Sequence, residues 1–168
     1  MKLRSIIRYL EIIDRQLEIL YINFSRKLSQ YPQFALFWKD LSLEKGNLHS
    51  CLFLIEQVGE ENLSLTEYHE DEFICAMEKL THFIKKSTQA ALNIEECIET
   101  AVQIETEHYA KIFNHLTRLV SGDFKKVVRE MDHNKEYRNK LKRLIIEHYP
   151  ENTKKKELIQ QIEKSLSS

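Results

Sequence analysis

At 168 residues, with 42% hydrophobic and 30% charged side chains, the chain is long enough for one domain around a sizeable core and too polar for a membrane protein. Its 25 basic and 26 acidic residues leave a net charge of −1, so there is no overall electrostatic pull toward nucleic acid or anionic lipid. The basic runs KKVVR at 125–129 and KKK at 154–156 read as solvated helix faces. Cys51, Cys75 and Cys97 are odd in number, lie far apart and form no C-x-x-C pair. They indicate neither a disulfide framework nor a zinc ribbon, and reduced, mostly buried thiols are expected. With only three Gly and two Pro to break the chain, long helices should dominate a single all-α domain spanning 1–168.

The first predicted helix runs over 3–29, where Leu3, Ile7, Leu10, Leu17, Phe24 and Leu28 recur at three- and four-residue steps, with Asp14 and Tyr21 on the same stripe. Arg8, Glu11 and Asp14 break up any signal-peptide core or membrane span here, which predicts a cytoplasmic protein without membrane partners. The segment SQYPQ ends this helix, and Pro32 suits the first turn of a second one running to about Val58. Its stripe is Phe37, Leu41, Leu48, Cys51 and Ile55, and the step between 41 and 48 falls on Glu44. Gly46 inside it costs about 1 kcal/mol relative to Ala, and a close contact or a local bulge is the expected compensation.

After Gly59, Ser64 and Glu67 form a capping-box pattern for a shorter helix through about Lys86, with Phe73, Met77, Leu80 and Ile84 on one face. Asn93 and Glu96 cap the next helix, whose stripe is Ile94, Ile98, Ala101, Ile112, Leu116 and Leu119, with Glu105 and His108 in the gap. SGD at 121–123 predicts a tight turn. A fourth long helix follows through about Glu147, its face of Val127, Tyr137, Leu141 and Leu144 interrupted by Glu130 and His133. Past Pro150, residues 153–166 form a basic amphipathic helix with Leu158, Ile159, Ile162 and Leu166 on its apolar side. Two short connections and one long helical crossover, between the second and third major helices, predict a four-helix bundle of ferritin-like connectivity over about 3–148, followed by the short C-terminal helix.

Each bundle helix thus carries an acid within its core-facing stripe: Asp14, Glu44, Glu105 and Glu130. Four carboxylates converging in one bundle would repel, and desolvation adds several kcal/mol for each ion left unpaired, so a positive charge is expected among them. Two solutions are open. Each acid rotates to the bundle edge or pairs with nearby Arg and Lys, or a pair of divalent metals sits between the helices. Carboxylate and imidazole donors suit iron or manganese, and Glu130 and His133, at i and i+3, can reach one metal together.

These motifs resemble the rubrerythrin-like branch of the ferritin-like superfamily, in which a Glu with an aromatic seven residues on is followed, on the next helix, by Glu-x-x-His. IEECIETAVQIE at 94–105 is similar to the third-helix approach to its Glu, and FKKVVREMDHNKEYRNKL at 124–141 to its Glu-x-x-His helix. DRQLEILY at 14–21 keeps the Glu-to-Tyr spacing with Asp in place of Glu, and FWKDLSLEKGNLHSCLFLI at 37–55 resembles the other Glu-x-x-His helix with Asn47 where His belongs. The resemblance spans about 3–148. It implies metal ligands at Asp14, Glu44, Glu105, Glu130 and His133, with His108 either replacing the missing nitrogen ligand or acting as a core histidine. Asp14 is one methylene short, and the amide of Asn47 is a poorer ligand than imidazole. His49, about 140° round the helix from Glu44, reads as a surface residue. Tyr21 and Tyr137 face the same region and hydrogen-bond a bridging carboxylate there, serve as oxidisable neighbours or fill core space.

Three functions follow. An intact site would hold two iron or manganese ions and reduce peroxide or dioxygen, drawing on an external electron donor because the four-cysteine iron domain common in that family is missing from this sequence. A degenerate member would hold one metal or none and act as a non-catalytic scaffold or interaction protein. In a third reading the C-terminal helix docks on a partner or a second subunit, which makes a homodimer one candidate assembly.

Overall fold

The computed structural model describes residues 3–58, 70–89, 91–108, 112 and 134–167. Every regular element among them is helical: α1 (Leu3–Lys27), α2 (Pro32–Val58), α3 (Glu70–Gln89), α4 (Ile94–Gln103), a π-helical turn (Ile104–His108), α5 (Asn134–His148) and α6 (Thr153–Leu166). The all-α expectation holds, and no described helix is long and apolar enough to cross a membrane. The Ser64–Glu67 box, the turn at 121–123 and the start of the fourth long helix lie outside the described residues.

The stripe on α1 buries Leu10, Ile13, Leu17, Leu20, Tyr21, Phe24 and Leu28. A tight turn, in which the Tyr31 N–H donates to the Leu28 carbonyl at 2.8 Å, reverses the chain, and Pro32 opens α2 as its missing N–H allows. The two helices close on an aromatic cluster. The Trp38 ring stacks on Tyr21 with centroids 5.8 Å apart and meets Phe24 edge-on at 5.3 Å.

That cluster sets the rotation of α2 one residue away from the expected phase. Among its described side chains, through Lys45, the core face holds Phe34, Trp38, Leu41, Ser42 and Lys45, while Phe37 is only partly buried and Glu44 reaches the rim. Both phases have helical spacing and share Leu41. Burying Trp38 against Tyr21 and Phe24 removes one of the largest apolar side chains from water, which decides between them.

Against this hairpin α3 packs Met77, Leu80 and Ile84. Asn93 and Glu96 form the expected capping box: the Glu96 N–H donates to Asn93 Oδ1 at 2.9 Å and the Asn93 N–H to Glu96 Oε2 at 2.8 Å. Helix α6, capped by Asn152, turns Leu158 and Ile162 into its own core. Arg138 Nη1 donates to the Ser165 carbonyl at 2.5 Å and Lys155 Nζ to that of Ile146 at 2.8 Å, so the C-terminal helix is seated on α5. Leu158 and Ile162 of its apolar side are buried within the chain, and Ile159 and Leu166 are half-buried.

Cys97, at the start of α4, is fully buried, whereas Cys75 on α3 is exposed. Burial pushes the Cys97 thiol up to about 12, with Glu96 adding to the shift and Lys27 opposing it. Alkylation at pH 9, read by peptide mass mapping, should therefore modify Cys75 and spare Cys97 until the protein is unfolded in urea.

Candidate functional site

The centre of the fold is an ion pair. Glu105, in the π-helical turn, has 0% exposure, and Lys45 on α2 has 1%. Lys45 Nζ lies 2.9 Å from Glu105 Oε1 and donates to Oε2 at 3.0 Å, while the Tyr21 hydroxyl donates to Oε1 at 2.7 Å. Both carboxylate oxygens thus accept from charged or strongly polar donors. The Lys45 ammonium also stands 5.3 Å from the ring centroid of Tyr137 on α5, within cation–π range. Three elements besides the π turn therefore meet at one buried carboxylate.

Local sequence explains how each group gets there. Tyr21 lies on the core stripe of α1, and Lys45 continues the 34, 38, 41 spacing of α2. In the π turn each N–H reaches one residue further back than in an α-helix, which shifts the residues after Glu105 round the axis. His108 consequently lies beside α3, its ring 5.1 Å from that of Phe83.

The expected ligands do not gather as one described set. Asp14 is buried in α1 at 1% exposure. Glu44 sits at the rim, where its Oε1 accepts from Lys140 Nζ at 2.9 Å. That hydrogen bond raises the Lys140 pKa, against a smaller opposing effect of desolvation. His108 is half-buried beside Phe83. Glu130 and His133 lie outside the described residues, as does the side chain of Asn47. Among the described residues no three His, Cys, Asp or Glu side chains cluster as a metal ion would require. A cavity of about 420 Å³ opens between α1 and α3 over Ile13 and Met77, and Asp14, Glu44, Glu105 and His108 are not among the described residues that line it.

Among the described residues, the groups that contact Glu105 are those of an ion pair and do not make a dinuclear metal centre. An ion bound there would face an ammonium already at hydrogen-bond distance from its ligand oxygens, and like charges repel strongly where water is excluded. Lys45, which lies off the Phe37 stripe, supplies a positive charge to Glu105. Its signal in the sequence was position alone: it falls on the stripe led by Trp38 rather than the one led by Phe37.

Breaking a buried pair leaves an uncompensated charge, so Lys45→Met should cost about 3–5 kcal/mol in urea unfolding. Adding Glu105→Gln, which removes the second charge and still accepts from Tyr21, should recover much of that loss in a double-mutant cycle. Tyr21 gives a second prediction. Burial first, then the charge and hydrogen bond of Glu105, raise its pKa well above 10.0. The folded phenol therefore stays neutral while the unfolded one ionises, so its contribution is complete below about pH 10 and lost as pH rises further. Tyr21→Phe should be less stable than wild type by about 1–3 kcal/mol at neutral pH. The gap should narrow above pH 10 when unfolding is measured up to pH 11.

Compared with known protein families, with characterised proteins and with solved structures, the chain finds no match in any of the three.

Proposed function

We propose that this chain is an altered ferritin-like bundle that works by association, as a scaffold or interaction protein, with a buried lysine where the rubrerythrin-like resemblance puts dinuclear metal. One observation carries this reading: Lys45 Nζ lies 2.9 Å from Glu105, with side-chain exposures of 2% and 1%. An ammonium there balances the carboxylate without a metal, so the fold carries its own counter-charge. The Asp at position 14 and the Asn at position 47 point the same way, since each weakens a ligand position of the resembled motif.

The competing reading is a cytoplasmic peroxide- or dioxygen-reducing oxidoreductase with two iron or manganese ions and an external electron donor. It needs Lys45 to leave Glu105 and two further ligands to come from Glu130 and His133. Metal content separates the two. Protein purified without chelator should carry well under one iron or manganese per chain by elemental analysis, and its thermal midpoint should not move with EDTA. Close to two ions per chain, lost in Glu105→Gln, would overturn the proposal.

A further inference from the structure

The cavity between α1 and α3 takes no part in the ion pair, yet its walls are sorted by chemistry. Ile13 and Met77 form its floor, with 1% and 4% of their surface exposed. Tyr9 and Ile12 also line it but keep 44% and 52% of theirs, so they form part of its rim. On α3 the lining positions 74, 77, 78, 81, 82 and 85 recur at helical spacing and make a single face. That face begins apolar, with Ile74 and Met77, and ends polar, with Thr81, His82 and Lys85.

Size and charge together narrow what fits. A volume of about 420 Å³ lies within the range of small-molecule sites, about 300–1,000 Å³. Water against aliphatic walls is poorly held, and an apolar chain displaces it with gain. His82 and Lys85 are exposed at the polar end, and among the described residues neither makes an ion pair. Glu78 is the acid among the described lining residues, and seven helical positions set it about 10 Å along the axis from Lys85. The cavity is therefore apolar at one end and suited to a negative charge at the other.

We infer that this cavity binds an amphipathic carboxylate of medium chain length. Its aliphatic chain lies over Ile13, Ile74 and Met77 beneath Tyr9 and Ile12, and its head group sits at His82 and Lys85. The inference goes beyond the association reading and shares no residue with it. Metal content tests the core at Glu105, ligand binding tests the cavity, and either can fail alone.

Isothermal titration calorimetry of the full chain with octanoate and decanoate, below their micelle concentrations, should show one saturable site per chain. Decanoate should bind roughly tenfold more tightly than octanoate, because two more methylenes leave water. Lys85→Glu should weaken octanoate about fivefold and leave octan-1-ol unchanged, since only the carboxylate meets the rim charge. Ile12→Asp should weaken both, with an unchanged helical circular dichroism spectrum. Absence of saturable decanoate binding would overturn the inference and mean that the face serves another occupant. Decylamine binding as tightly as decanoate, or octanoate affinity indifferent to Lys85→Glu, would overturn it as well.

Discussion

A carboxylate with no exposed surface must meet a positive charge or keep its proton, and Glu105 meets Lys45. The pair joins α2 to the π turn, Tyr21 adds α1 through its hydroxyl, and Tyr137 adds α5 through its ring. Helices far apart in sequence are thereby held to one point in space. In a buried pair, loss of one charge leaves the other uncompensated, whereas loss of both together does not, so the burial of Glu105 and Lys45 is tied to their mutual contact.

The same pair bears on chemistry. Resemblance to a dinuclear metal family rests on acids at stripe positions, and the acids are present. Asp14 and Glu105 are buried, and Glu44 sits at the rim on Lys140. The Lys45 ammonium balances the charge of Glu105 from within the chain itself.

Much of the helical framework was legible because its signals are local. Asn93 with Glu96, and Pro32 at the start of α2, determine helix starts through bonds within one turn of chain. The need for a positive charge among the acids was legible too, since it follows from electrostatics alone. Which residue supplies it was not. Glu44 and Lys45 are neighbours on two stripes that share Leu41, and only the tertiary contact of Trp38 with Tyr21 and Phe24 selects between them. Lysine is also among the residues least expected in a core. The π turn, which carries His108 toward Phe83, has no counterpart in a pattern built on 3.6 residues per turn.

The central claim is that Lys45 occupies the charge position beside Glu105. The most direct measurement is a crystal structure of the protein soaked with manganese, with an anomalous difference map. The account predicts Lys45 Nζ within hydrogen-bond distance of both Glu105 oxygens and no anomalous density beside them. An anomalous peak at ligand distance from Glu105, with Lys45 turned away, would contradict it.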